Sequence, residues 1–160
     1  MQRSADAPEA ALAKWQQLAA PYVSEARKTF PEARREFFGG SSQGAMFFVV
    51  VLLRDGDGHF QMSYMSVDRV DAGMITGRIL SQSLIVHGFQ HNDVYRVAEA
   101  EILDWSVTMA DGSEKGDFLV KFNDTLPREV QCRMGRDLTS FPTTDDSVTS
   151  GPIKDSCGSP

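Results

Sequence analysis

Two stretches of the chain carry side chains that could bind a metal ion. Residues 55–59 read Asp-Gly-Asp-Gly-His, with carboxylates at alternate positions as at the start of a calcium-binding loop. His87 and His91 stand four residues apart, the spacing that brings two zinc ligands onto one helix face. Both patterns are incomplete, because Ser66 stands where a calcium loop needs its last glutamate and Gly88 argues against a helix. The sequence therefore predicts a hairpin turn and loop histidines, with no metal and no cofactor.

A second candidate is the pair Asp104 and Trp105. Trp105 could stack on a ligand, with Asp104 as a polar anchor beside it. Alternatively, the indole belongs to the core and Asp104 caps the adjacent turn, which is the favoured interpretation because tryptophan in a short strand usually packs. If a pocket does form between helix and sheet, its predicted lining is Gln61, Tyr64, Asp104 and Trp105.

Acidic residues form the third set of candidates, for contact with a partner. Asp68 and Asp71 are close in sequence, and Glu99 and Glu101 would point to one face of a strand. Solvated charge is the simpler interpretation, since catalytic carboxylates need a cleft that shifts their pKa values. The sequence also has no GxSxG elbow and no phosphate-binding loop, so no catalytic residue is predicted.

Helices are predicted before the first strand. Residues 6–20 have Asp6 as a cap and an apolar face with a helical period, and Pro21 ends or kinks this helix. A second helix is predicted to begin with Thr29 as its cap and to stop at the pair Gly39-Gly40.

From Ala45 the hydrophobic pattern becomes that of strands. Residues 45–53 are an unbroken apolar run, typical of a strand buried on both faces, and residues 60–67 alternate. The predicted alternation puts Phe60, Met62, Tyr64 and Ser66 on one face and Gln61, Ser63, Met65 and Val67 on the other. Turns are predicted at 54–58 and 71–73, and further strands at 74–80, with a bulge at Gly77, and at 94–97, 102–109 and 117–122. The fold class is therefore α+β, with amino-terminal helices packed on a mostly antiparallel sheet of five or six short strands.

Five segments, in a fixed order along the chain, carry a family resemblance. They read ARKTFPEARREF, FFVVVLLRDGDG, GMITGRIL, NDVYRVAEAEILDW and GDFLVKF. Over about residues 26–122 the chain resembles a bacterial family, the domain of unknown function 2314, or YegJ-like domain. The family's second strand has an acidic-His-x-aromatic cluster, which here reads Gln-Met-Ser-Tyr, and Ser81 and Ser83 stand where the family favours Asn and Pro. The resemblance implies a small helix-plus-sheet fold, and a protein-binding role because some members look like parts of toxin–immunity neighbourhoods.

Composition excludes several classes of protein. The 160 residues carry a formal net charge of −6, which argues against a nucleic-acid binder with a basic face. The longest apolar run, over residues 45–53, is too short for a membrane span, and the amino terminus has no hydrophobic stretch of a secretory signal. Cys132 and Cys157 are expected to be free thiols in a reducing compartment. These features predict a cytoplasmic protein that binds neither nucleic acid nor membrane.

The carboxyl-terminal part of the chain differs from the rest. Residues 139–160 are rich in Ser, Thr, Pro, Gly and Asp and have too few apolar side chains to offset the entropy of ordering. The predicted organisation is one α+β domain over residues 1–138 and a disordered tail over residues 139–160.

Three functions stay open at this point, the third being a structural or regulatory domain whose tail, over residues 139–160, carries the interaction. The favoured one is a non-catalytic protein-binding module, an immunity protein that neutralises a bacterial toxin being one form of it, with the acidic residues contacting a basic partner. The alternative is a small enzyme or ligand-binding domain that uses the helix–sheet pocket.

Overall fold

Two helices pack on a six-stranded antiparallel sheet in the computed structural model of the protein, which describes residues 3–37, 44–82 and 84–126. This arrangement confirms the predicted α+β class. In chain order the elements are α1 (Arg3–Phe37), β1 (Met46–Arg54), β2 (Phe60–Asp71), β3 (Met74–Ile79), β4 (Val94–Ala98), a short 3₁₀ turn (Glu99–Glu101), β5 (Asp104–Thr108), β6 (Glu114–Gly116) and α2 (Phe118–Thr125). The strand order in the sheet is β4-β3-β2-β1-β5-β6. The predicted tail, both cysteines and the pair Gly39-Gly40 lie outside the described residues.

A single helix of 35 residues, α1, takes the place of the two predicted helices. The prediction was that Pro21 ends or kinks the helix, and the first of these is wrong, because α1 runs through the proline and its apolar stripe continues at helical spacing. Its buried members are Leu12, Trp15, Ala19, Val23, Ala26, Phe30 and Ala33. The free energy gained by burying this stripe along the sheet exceeds the cost of the helix hydrogen bond that Pro21, which is exposed, cannot donate. Thr29 is therefore not a cap, and its hydroxyl donates to the carbonyl oxygen of Glu25 inside the helix at 2.8 Å.

Replacing Pro21 with alanine is expected to stabilise the protein. Proline costs about 3 kcal/mol relative to alanine inside a helix, and a stiffer unfolded chain offsets up to about 1 kcal/mol of that cost. Because residue 21 is exposed, alanine adds no clash. We expect the free energy of unfolding, measured by urea titration, to rise by about 2 kcal/mol. An unchanged or lower value would mean that α1 does not run through residue 21 in solution.

The sheet is buried on both faces at its centre, as the unbroken apolar run of β1 predicts. We call the face that carries Val49, Val51 and Leu53 the first face and the face that carries Val50 and Leu52 the second face. Ser63 lies opposite Val51, and residues opposite each other in an antiparallel pair share a face, so the predicted alternation of β2 is confirmed. The later half of α1 covers the first face with Ala26, Phe30 and Ala33. Its earlier half covers the second face with Trp15, Ala19 and Val23, together with Leu119 and Phe122 of α2.

The prediction of a last strand over residues 117–122 was wrong, because all of these residues after Asp117 belong to helix α2. A short apolar run fits a buried strand and a buried helix equally well, and its neighbours decide between them. Here Leu119 and Phe122, three residues apart, fill the space beside Trp15 on the second face. The chain reverses just before α2, where Gly116 and Asp117 both have positive φ angles of 88° and 56°.

The β2–β3 hairpin has its predicted turn, but the bulge that was predicted at Gly77 of β3 lies in the neighbouring strand. Ala72 and Gly73 form a two-residue turn with positive φ angles of 49° and 79°, which suits the twist of a hairpin. The bulge lies in β2, where the register shifts between Val67 and Arg69, and Gly77 faces it from β3.

Candidate functional site

Trp105 belongs to the core. It is 7% exposed on the first face, and its ring packs against Phe47 and Phe118 with centroids 6.1 and 5.8 Å away. Its indole N–H donates to the hydroxyl of Thr29 at 3.0 Å, which ties β5 to α1. This geometry is that of a packed tryptophan whose polar atom is satisfied, and it offers no open ring face for stacking.

Asp104 is buried beside it and holds the start of α2. Its carboxylate accepts three backbone hydrogen bonds, from the N–H groups of Trp105 at 2.8 Å, Phe118 at 3.1 Å and Leu119 at 2.9 Å. Two of these donors are in the first turn of α2, so Asp104 acts as a long-range cap for that helix. Burial raises the pKa of Asp104 to about 6, although the three N–H groups act in the opposite direction.

The four residues of the predicted pocket lie on two faces of the sheet. Gln61 and Trp105 pair with Leu53 and Val49 on the first face, and the side-chain oxygen of Gln61 accepts a bond from the N–H of Ile85 at 2.8 Å. Tyr64 and Asp104 both pair with Val50 on the second face. The sheet therefore separates the four side chains, and they do not line one pocket.

A shallow groove of about 310 Å³ lies elsewhere, where α1 passes the start of β5. Its lining includes Trp15, Val23, Arg27 and Leu103, and none of the predicted site residues. The guanidinium Nε of Arg27 donates to the carbonyl oxygen of Ile102 at 2.8 Å, so this cation already fixes the β4–β5 connection to the helix.

The predicted acidic residues lie toward one end of the sheet, in β2 and in the 3₁₀ turn, and we call this region the acidic corner (Asp68, Asp71, Glu99 and Glu101). The N–H of Glu99 donates to the carbonyl oxygen of Gly73 at 2.9 Å, which holds the 3₁₀ turn against the β2–β3 turn. Two of the four carboxylates have arginine partners, Glu99 with Arg34 at 2.6 Å and Asp68 with Arg78 at 3.7 Å.

Asp71 and Glu101 are the acidic-corner residues whose charges face solvent. Both are exposed, and neither forms an ion pair with any side chain in the part of the chain that the structure describes. Glu101 follows β4, which has β3 on one side and no strand on the other among the described residues, whereas Asp71 is the last residue of β2, two strands away.

The outer edge of β4 presents main-chain groups. Ile79 N–H donates to the carbonyl oxygen of Asp93 at 3.0 Å, and antiparallel pairs alternate between bonded and non-bonded. Tyr95 and Val97 therefore bond to β3, whereas the main-chain groups of Val94 and Arg96 point away from the sheet. Val94 is also 60% exposed, which is high for a strand valine.

A cluster that the sequence did not predict lies at the opposite end of the sheet. Asp55, Asp57 and His59 of the β1–β2 turn meet His87 of the β3–β4 connection, and one possible ligand atom from each lies within 4.8 Å of all the others. We call these four residues the Asp/His cluster. His91 is not part of it, because its ring bonds instead to the carbonyl oxygen of Leu80 at 3.1 Å. The two histidines that approach each other are His87 and His59, whose ring centroids are 4.9 Å apart.

Asp55 is the centre of the Asp/His cluster. Its side chain is 3% exposed, and its carboxylate accepts bonds from the backbone N–H groups of Asp57 and His59, each at 2.9 Å, and of His87 at 2.8 Å. The ring Nδ1 of His59 lies 2.9 Å from the same carboxylate. Burial alone would raise the pKa of Asp55, but these hydrogen bonds outweigh it and hold the pKa well below its usual range.

Asp57 and His87 complete the cluster on its exposed side. The Nδ1 of His87 lies 2.8 Å from the carboxylate of Asp57, and this hydrogen bond, together with the charges of both aspartates, raises the pKa of His87. The strand order alone predicts that the two segments of the cluster lie close together. In an up-and-down meander the β1–β2 turn and the β3–β4 connection lie at the same end of the sheet.

Comparison of the chain with protein-family models, with curated proteins and with solved structures finds no match. No helix among the described residues has both the length and the apolar character that crossing a membrane requires.

Proposed function

We propose that the protein is a non-catalytic protein-binding module, and that it binds an extended segment of a basic protein at the outer edge of β4. The observation that carries this proposal is the outer edge of β4, which pairs with no strand among the described residues, with the solvent-facing carboxylate of Glu101 just after its end and that of Asp71 at the same end of the sheet, on β2. An edge strand offers main-chain donors and acceptors to an incoming strand, which supplies affinity, while neighbouring charges select the partner.

Charge favours a basic partner over an acidic one. The chain has a formal net charge of −6, and a negative protein associates faster with a positive one. Because Arg96 on β4 is itself basic, the preference for a basic partner depends on the acidic corner rather than on β4 alone. The resemblance to the domain of unknown function 2314 implies a toxin–immunity role. The partner that we propose is therefore a bacterial toxin, with this chain as its immunity protein.

The alternative of a small enzyme or ligand-binding domain has less support. It required Gln61, Tyr64, Asp104 and Trp105 to line one pocket, and these side chains lie on opposite faces of the sheet.

The test uses the full chain as bait in the native host, with mild crosslinking, and two matched pairs of variants. Arg96→Pro removes the outward N–H of the edge and the side-chain charge, whereas Arg96→Ala removes the charge alone. The double variant Asp71→Lys, Glu101→Lys reverses the unpaired charges, and Asp124→Lys makes a like change on the exposed side of α2, far from β4. We expect a stoichiometric partner with wild type, Arg96→Ala and Asp124→Lys, and recovery reduced at least about tenfold with Arg96→Pro and with the double variant.

Three outcomes would contradict the proposal. One is the absence of any stoichiometric partner. The second is equal recovery by Arg96→Pro and Arg96→Ala, which would remove the strand edge from the interface. The third is stronger binding by the lysine double variant, which would mean that the partner is acidic. Thermal unfolding of each variant shows that it is folded before binding is compared.

A further inference from the structure

We propose that the Asp/His cluster is a zinc-binding site, in which Asp55, Asp57, His59 and His87 together bind one Zn²⁺ ion. This inference is independent of the proposed protein-binding role. The four residues come from two segments separated by β2 and β3, and nothing in either segment alone forms a complete metal motif.

The spacing of the ligand atoms is close to what zinc needs. Bonds of about 2.0–2.1 Å in a tetrahedron put neighbouring ligand atoms roughly 3.3 Å apart. The candidate atoms lie within 4.8 Å of one another, and some pairs are already at 2.8–2.9 Å. Closing the set around an ion requires side-chain rotations, and three of its members, His59, Asp57 and His87, are exposed.

The types of ligand select the metal. Two carboxylates and two imidazoles form a mixed oxygen and nitrogen set, which suits Zn²⁺ and similar transition ions. Calcium and magnesium prefer oxygen ligands alone, so the two histidines disfavour them.

The protein positions these ligands before any ion arrives. Asp55 is held by three backbone N–H groups, one of which belongs to His87, so the two segments are already joined. The segment that carries His87 is anchored on its other side by Val86, which is 3% exposed in the core of the first face, and by the bond from Ile85 to Gln61. A ligand set on anchored backbone loses little freedom on binding.

An ion in this position would connect the β1–β2 turn to the β3–β4 connection, whose Val86 packs in the core of the first face. Zinc would therefore act as a clamp on the fold, and binding would stabilise the folded state by mass action.

The test measures zinc binding to the full chain, with any affinity tag removed, by equilibrium dialysis and by thermal unfolding. We expect one Zn²⁺ per chain with a dissociation constant in the micromolar range or below, and a melting temperature raised by roughly 5–10 °C at a hundredfold excess over that constant. Cobalt in place of zinc should give the strong visible absorption of a four-coordinate site with nitrogen and oxygen ligands.

The variants are chosen so that each can fold without the metal. His87→Ala and Asp57→Ala remove exposed members of the cluster, and each should weaken zinc binding at least about tenfold. His91→Ala is the matched control, since it removes a histidine four residues away that lies outside the cluster. Cys132→Ser with Cys157→Ser removes the thiols, which could bind zinc by themselves.

The result that overturns the proposal is equally definite. It is no binding at a hundred micromolar zinc, or binding that survives both His87→Ala and Asp57→Ala, or binding that is lost with the cysteines or with His91.

Discussion

Asp104→Ala is expected to lower the free energy of unfolding by about 4 kcal/mol at neutral pH. The substitution leaves three backbone N–H groups without their acceptor, at a site that is 2% exposed. A buried donor that loses its partner costs about 1–3 kcal/mol, and access of water to the freed helix end reduces the total. Because two of the three donors begin α2, we expect that helix, with Leu119 and Phe122, to separate first from the second face.

Asp104→Asn is the matched control, since its amide keeps one oxygen as an acceptor in the same volume. We expect a loss of about 1–2 kcal/mol, clearly smaller than the loss for alanine. Urea unfolding of wild type and both variants measures the difference. Equal losses for alanine and asparagine would mean that packing volume, rather than hydrogen bonding to α2, is what Asp104 contributes.

The same variants test the raised pKa of Asp104. A carboxyl whose pKa is about 6 in the folded state, above the ordinary 3.8, favours the folded state when it is protonated. This contribution is fully present below about pH 3.8 and is lost as the pH rises through about 6. The stability of wild type relative to Asp104→Asn should therefore increase on acidification, by up to roughly 1.4 kcal/mol per pH unit between these values. Parallel stability curves for the two proteins between pH 4 and 7 would contradict the raised pKa.

Strand positions and faces could be predicted because two signals agree in this chain. The apolar residues of β2 alternate, and turn sequences rich in glycine and aspartate bound the strands. Residues such as Ser63, which is fully buried, were placed correctly by alternation alone, against their own polarity.

The errors in the helices have a common physical cause. Local signals for a break or a strand were present at Pro21 and at residues 117–122, but burial against the sheet outweighed them. A sequence pattern measures local preference, whereas the two apolar clusters combine residues far apart in the chain, such as Trp15 and Phe122.

The candidate sites also contain features that the sequence predicts and features that depend on contacts between distant residues. The acidic corner could be predicted by residue type, yet the pairing of Glu99 with Arg34 depends on a helix end 65 residues away, and no sequence spacing predicts it. The Asp/His cluster has no local sequence signal, because neither the DGDGH turn nor His87 completes a metal motif within its own segment. The meander had already placed both segments at one end of the sheet, so topology contained the information that spacing lacked.

Gly77→Ala should lower the free energy of unfolding by about 3 kcal/mol or more. An ideal Cβ at this position would lie 1.8 Å from the backbone carbonyl oxygen of Ser66 and 3.0 Å from the Met65 side chain. The obstacle is a neighbouring strand, which cannot rotate aside as a flexible side chain would, so β2 and β3 must separate at the bulge between Val67 and Arg69.

Two further glycines separate this close approach from other effects of adding a methyl group. Gly56→Ala is the neutral control, because nothing lies within 4 Å of its Cβ position and its φ is not in the left-handed region, so we expect a change below about 0.5 kcal/mol. Gly73→Ala meets open space but has a φ of +79°, so it isolates backbone strain, at a cost of about 1 kcal/mol. The expected order of loss in urea unfolding is therefore Gly77, then Gly73, then Gly56. A Gly77 variant as stable as the Gly56 variant would mean that β2 and β3 do not approach each other this closely at the bulge.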